Sequence, residues 1–131
     1  MKTDEDIIDD VLQHIKASGV MDSMKGKVYD TERETVAPED VVVNMEYNRK
    51  GEVQEAYVSV DVFVPSIKVD DQWRRPRKRL RQLCRLWSDC LQLGGLNKDF
   101  RLTLDSQNVE REKDTREFKI YNRLLYQTLN D

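Results

Sequence analysis

The sequence predicts an α+β fold, in which a mostly antiparallel sheet of about four to five strands carries two helices on one face. Two observations lead to this prediction. Helical and alternating apolar segments follow one another in the order α-β-β-β-α-β-β, and no β-α-β spacing repeats along the chain. The 131 residues, 38% hydrophobic and 36% charged, are predicted to form one domain over 1–131.

The first helix begins after Thr3, which can cap it, and Asp6 three positions later completes a capping box. Gly19 is a natural residue to end it. His14 falls beside the apolar stripe, so we expect it at the surface or the boundary of the core. The buried stripe is predicted to contain Ile7, Ile8, Val11, Leu12 and Ile15.

The next segments predict two strands separated by a loop. Residues 27–29 indicate a short strand, and residues 30–38 are polar and aperiodic, which indicates a loop. In the strand 41–47 the apolar side chains alternate with polar ones. Its expected core-facing residues are Val41, Val43, Met45 and Tyr47.

A hairpin turn at 48–51 connects this strand to a longer one over about 53–64, which Pro65 ends because proline cannot donate to a ladder. The expected core face of the longer strand is Ala56, Val58, Val60, Val62 and Val64.

The second helix is predicted to start near Pro76 and to end at Gly94-Gly95, after a loop at 66–71 in which Asp70 or Asp71 could cap it. Steps of three and four residues give it one apolar face. That face contains Leu80, Leu83, Cys84, Trp87, Cys90 and Leu91.

The end of the chain predicts two more strands, over 100–104 and 118–128. Residues 106–117 are almost wholly polar and are expected to form either a disordered loop or a long hairpin tip. The core face of the last strand is predicted to hold Phe118, Ile120, Leu124 and Tyr126, with Asn122 among them.

The opposite face of the sheet is predicted to be only partly polar. It would carry Tyr57, Phe63, Tyr121 and Leu125. Because this is more apolar surface than water favours, we expect another subunit to cover part of that face.

Several functional classes have no support in the sequence. The lone histidine and the absence of a glycine-framed nucleophile or phosphate loop argue against an enzyme. We expect no cofactor and no metal site. Cys84 and Cys90 would lie about 9 Å apart on one helix, too far for a disulfide, and are expected to be buried thiols. No apolar stretch is long enough to cross a bilayer and the N-terminus is acidic, so a cytoplasmic protein is expected.

The distribution of charge gives the strongest functional indication. Residues 1–40 carry 5 basic and 11 acidic side chains, a net of −6, whereas residues 71–95 carry 7 basic and 2 acidic ones, a net of +5. Arginine predominates in the basic segment, and its guanidinium can form two bonds to a carboxylate or phosphate. The residues expected to bind a partner are Trp73, Arg74, Arg75, Arg77, Lys78, Arg79, Arg81 and Arg85. The alternative is a solvated helix face.

The chain resembles the tail-terminator, or tail-completion, proteins of long-tailed bacteriophages and prophages. The resemblance lies in the order and pattern of elements over most of the chain: the opening helix around 7–12, the strand pair 40–44 and 57–65, the helix ending at 91–94 and the closing strand 118–124. It implies a subunit of mixed α+β structure without catalytic residues, which assembles into a ring at the head-proximal end of the tail tube.

Three functional hypotheses follow. The favoured one is a structural subunit of a homo-oligomeric ring at the tail–head junction. It would contact other phage tail or head-closure proteins, and would be present in the cytoplasm during assembly and in the virion tail afterwards. The alternative is a nucleic-acid-binding module whose arginine-rich helix start contacts phosphates. A third is an adaptor protein for an unidentified partner.

Overall fold

The computed structural model describes residues 1–92 and 99–129. Helix α1 spans Asp4–Ser18, and the predicted capping box is confirmed: the Thr3 side chain accepts a hydrogen bond from the backbone of Asp6, whose carboxylate accepts one from the backbone of Thr3. Gly19 ends the helix in the left-handed region, at φ 76°, where a side chain would be strained. A 3₁₀ turn, Val20–Ser23, follows.

The rest of the described chain contains seven strands and a second helix. The strands are β1 (Val28–Asp30), β2 (Val41–Arg49), β3 (Val53–Pro65), β4 (Ile67–Val69), β5 (Gln72–Arg74), β6 (Arg101–Arg111) and β7 (Glu117–Leu129), and helix α2 (Arg77–Gln92) lies between β5 and β6. Five strands form the main sheet in the order β1-β2-β3-β7-β6, in which only the β1–β2 pair is parallel.

One core joins the sheet to both helices, with α1 packed near β1 and β2 and α2 packed near β6 and β7. The α+β class and the predicted order of elements are therefore confirmed. Alternate residues of β3 and β7 point into this core, as expected. They are Ala56, Val58, Val60, Val62, Val64, Phe118, Ile120, Asn122, Leu124 and Tyr126.

The prediction of a loop at 66–71 is wrong. Strands β4 and β5 form a separate two-stranded hairpin, connected by Asp70 and Asp71. Both aspartates have positive φ, 51° and 60°, as the mirror-image turns of tight hairpins require. Neither caps α2, which begins at Arg77.

Residues 106–117 are not a disordered loop, since β6 continues through Arg111 and pairs with β7 on the other side of a short turn. Gln107 faces the core, and its Nε2 donates to the Cys84 carbonyl of α2 (3.0 Å) and to Asn122 Oδ1 (2.8 Å). Asn122 Nδ2 in turn donates to the Val60 carbonyl (3.0 Å). These amide groups join α2, β6, β7 and β3.

Tyr47 was expected in the core and is 57% exposed. The register of β2 against β3 shifts between Met45 and Tyr47, so that Glu46 is a bulge and Tyr47 pairs with Tyr57 on the outer face. The predicted end of α2 at Gly94-Gly95 lies outside the described residues. Within α2 the apolar face is confirmed, with Cys84 only half-buried.

Buried ion pairs hold the loop between β1 and β2. Arg33 bonds Asp40 through Nε (3.1 Å) and Glu117 through Nη1 (3.0 Å), and its Nη2 donates to the Ala37 carbonyl (2.7 Å). Asp40 is fully buried, and its other oxygen accepts the backbone N–H of Lys27. A Cβ at Gly26 would lie 2.5 Å from the Asp40 nitrogen, so this approach requires glycine.

Candidate interaction surfaces

The structure divides the eight predicted partner-binding residues among three places. Trp73 and Arg74 lie in β5, and Arg75 lies between β5 and α2. The other five lie on α2, which they share with its buried face. They are Arg77, Lys78, Arg79, Arg81 and Arg85.

Arg79 is engaged within the subunit. Its Nε and Nη2 donate to the Glu39 carboxylate at 2.7 and 2.8 Å, and Nη2 also donates to the Ser23 carbonyl at 2.9 Å. This bonding lowers the pKa of Glu39, which is only 1% exposed. Arg79 therefore fixes α2 to the chain before β2.

Arg75 also has an internal contact, because its guanidinium carbon lies 5.2 Å from the centre of the Phe118 ring. Phe118 is at the end of β7 near the hairpin turn and is 9% exposed. The Arg75 side chain is itself exposed, so this contact leaves its charge accessible to a partner.

Four cations of α2 have no counter-ion in the described ranges 1–92 and 99–129: Arg77, Lys78, Arg81 and Arg85, here called the basic stripe. All four are exposed, and steps of one, three and four place them on the solvent side of the helix. The first turn of α2 contains no acidic residue, so the positive end of the helix dipole adds to their charge.

The hairpin of β4 and β5, residues 67–74, exposes three large apolar side chains and is here called the Trp73 hairpin. Ile67, Val69 and Trp73 are 47%, 39% and 47% exposed. Arg116 in the β6–β7 turn lies 4.6 Å from the Trp73 ring centre, and its carbonyl accepts the backbone N–H of Ser66 (2.7 Å).

A cleft of about 460 Å³ lies at the opposite edge of the sheet, beside β1 and α1. Its carboxylates, Asp30, Glu32 and Glu34, form no ion pair with any part of the chain that the structure describes. Its lining, here called the acidic cleft, is Leu12, Lys16, Val28, Tyr29, Asp30, Thr31, Glu32 and Glu34. No motif identifies these residues in the sequence, although the net charge of −6 in residues 1–40 indicates an acidic region.

Cations of the same chain cover much of the apolar surface on the outer face of the sheet. Arg123 lies 3.8 Å from the centre of the Tyr57 ring, and Arg33 lies 4.5 Å from that of Phe63. The Tyr121 hydroxyl donates a hydrogen bond to the Glu46 carboxylate. Burial and this hydrogen bond raise the pKa of Tyr121 to about 12. The apolar composition of this face thus has an intramolecular explanation, and its coverage by another subunit stays a prediction.

Asp61 is a buried carboxylate on that outer face. It is 8% exposed, and its Oδ1 has no hydrogen-bond partner among the residues described. Burial raises its pKa to about 6, and nearby Glu46 adds to that effect while Lys119 opposes it. A buried carboxylate oxygen without a hydrogen-bond partner costs stability.

The remaining reactive groups show structural roles. Cys84 and Cys90 are both free, and burial raises the pKa of each thiol, which leaves them protonated and poorly nucleophilic. His14 is half-buried, as expected, and its Nε2 lies 2.9 Å from the Cys90 carbonyl.

In the described part of the chain, no three His, Cys, Asp or Glu side chains are placed to hold a metal ion. No described helix has the length and apolar character needed to span a bilayer. No family model and no curated protein matches the sequence.

Proposed function

We propose that the protein is a structural assembly subunit similar to phage tail terminators, which forms a homo-oligomeric ring at the tail–head junction of a phage or prophage. It acts by presenting complementary surfaces. Its further partners are other tail or head-closure proteins, and it passes from the cytoplasm into the virion tail. The sequence resemblance and the distribution of unpaired charge support this proposal.

The observation that carries the proposal is the separation of opposite unpaired charges. The basic stripe lies on α2, which packs near β6 and β7, whereas the acidic cleft lies beside β1 at the other edge of the sheet. The two surfaces have no residue in common, so the basic stripe of one copy can contact the acidic cleft of another in a head-to-tail arrangement. Such heterologous contacts close into rings when the rotation between subunits permits it.

Charge reversal tests the proposal. We expect the wild-type chain to be oligomeric by light scattering and native mass spectrometry, with rings visible by electron microscopy. Arg77→Glu with Arg81→Glu should dissociate it while the circular dichroism spectrum stays unchanged. Arg49→Glu with Lys50→Glu, which reverses two exposed cations at the β2–β3 turn, is the matched control and should remain oligomeric.

Rescue makes the test specific. Glu32→Arg with Glu34→Arg should also dissociate the assembly. Mixing this variant with the Arg77/Arg81 reversal should restore both contacts between unlike copies, so the mixture should form alternating assemblies. A wild-type chain that stays strictly monomeric at high concentration, with no rings, would overturn the proposal.

The second candidate function is nucleic-acid binding, which the absence of internal counter-ions for the basic stripe favours. Phosphate contacts would weaken with salt with a logarithmic slope of about −0.9 for each phosphate bound to duplex DNA. Fluorescence anisotropy with a labelled duplex at two salt concentrations tests this. Absence of binding at low salt removes the candidate, and loss of binding in the Arg77/Arg81 reversal supports it.

A further inference from the structure

The Trp73 hairpin is an unusual surface for an isolated subunit. A two-stranded hairpin is marginally stable in water by itself, and this one is not hydrogen-bonded into the main sheet. All six residues of its strands are exposed. Since large exposed apolar side chains concentrated on a projecting element are typical of contact surfaces, the hairpin has the character of a docking element.

The surroundings of the hairpin are basic. Lys68 lies 5.7 Å from the Trp73 ring centre, Arg116 contacts the same ring, and Arg74 and Arg75 follow along the chain. Against these four cations stand the two turn aspartates, Asp70 and Asp71, so the local net charge is +2. The basic stripe begins two residues further on, which extends the positive region.

The acidic cleft has the complementary composition. Leu12, Val28 and Tyr29 are half-buried and give it apolar side chains, while three carboxylates and Lys16 give it a net charge of −2. Among residues 1–92 and 99–129, strand β1 pairs with β2 alone, so its other edge can accept a neighbouring backbone. The cleft thus combines apolar side chains with carboxylates. The hairpin presents Ile67 and Val69 beside Arg74 on one face, whereas Trp73 and Lys68 lie on its other face.

We propose that the Trp73 hairpin of one copy docks into the acidic cleft of the next copy. The hairpin is held to the β6–β7 turn of its own subunit and the cleft is lined by α1, β1 and the following loop, so each copy presents both halves of the contact as separate surfaces. This inference rests on the proposed function because it names the subunit contact of that assembly. Removal of apolar side chains from water supplies affinity, and the charged residues of the two surfaces supply orientation.

Site-directed cross-linking tests the contact directly. Val69→Cys in one tagged chain is mixed with Glu32→Cys in another and oxidised, and the mixed dimer is measured on a denaturing gel. The control partner is Val53→Cys, an exposed valine at the start of β3 and away from the cleft. A mixed dimer with Glu32→Cys well above that with Val53→Cys is expected, and equal or absent cross-linking would overturn the inference.

A second measurement covers the hairpin itself. Ile67→Ser with Val69→Ser removes apolar surface without touching the core and should weaken self-association by about tenfold or more. Val53→Ser, which removes an apolar side chain of similar exposure at the start of β3, should leave self-association unchanged.

The two proposals fail in different ways. If the wild-type chain assembles but neither the cross-link nor the hairpin variant shows the expected effect, the hairpin inference is wrong and the assembly proposal stands. If the wild-type chain is monomeric and gives no cross-link, both are wrong.

Discussion

Replacing Asp61 with asparagine should remove a pH-dependent cost to stability. The folded protein raises the pKa of this carboxyl group from 3.8 to about 6, chiefly by burial. A difference of this size corresponds to about 3 kcal/mol of free energy. The native state holds the proton more tightly than the unfolded chain, so stability falls as pH rises from 4 to 6, and the full cost applies above pH 6.

The assay is urea unfolding of wild type and Asp61→Asn at pH 4 and pH 7.5. The amide keeps the shape of the side chain, and any constant packing effect cancels when the two pH values are compared. The stability of the variant relative to wild type should rise by about 2–3 kcal/mol between pH 4 and pH 7.5. Asp114→Asn, an exposed carboxylate in the β6–β7 turn, should change by less than about 0.5 kcal/mol. If the free energy of unfolding differs between Asp61→Asn and wild type by the same amount at both pH values, the reasoning is refuted.

Three further changes should lower the free energy of unfolding measured by urea denaturation. Gly26→Ala should cost about 1–3 kcal/mol because its methyl group would meet the backbone of Asp40 at 2.5 Å, and a wild-type midpoint would show that the chain relaxes freely there. Arg33→Met should cost about 3–5 kcal/mol since Asp40 and Glu117 would keep buried charges without their cation, and an unchanged stability would contradict this role of Arg33. Leu83→Ala, at a fully buried site of α2, should cost about 2–5 kcal/mol, and an unchanged stability would mean that this helix face does not pack as described.

The elements that the sequence predicts well are those specified by neighbouring residues. The capping box at Thr3, the glycine after α1 and the strict alternation of β3 are all local signals, and each is confirmed. The second half of β6 has no such signal. Gln107 occupies an inward position where an apolar residue would be expected, because its amide bonds the Cys84 carbonyl across the core. The register of β6 against β7 also shifts between Leu104 and Ser106, so the alternation changes phase before Gln107.

The candidate surfaces could likewise be predicted from the sequence only in part. The sequence identifies the basic segment, but the pairing of Arg79 with Glu39, 40 residues earlier, appears only when the chain is folded. The bulge at Glu46 likewise appears only in the pairing of β2 with β3, and it moves Tyr47 to the outer face. The sequence does not predict the Trp73 hairpin because its turn, Asp70-Asp71, lacks the usual asparagine–glycine signal.

The amide chain through Gln107 and Asn122 protects the β6–β7 hairpin from a particular folding error. Sliding one strand by two residues would keep every side chain on its proper side, so hydrophobicity alone discriminates weakly against such a slipped hairpin. In that misaligned state Gln107 would no longer face Asn122, and two amide groups would enter the interior without each other as partners. The cost of leaving these amides without partners disfavours the slipped alignment, so groups inside the core help to fix where the β6–β7 turn falls.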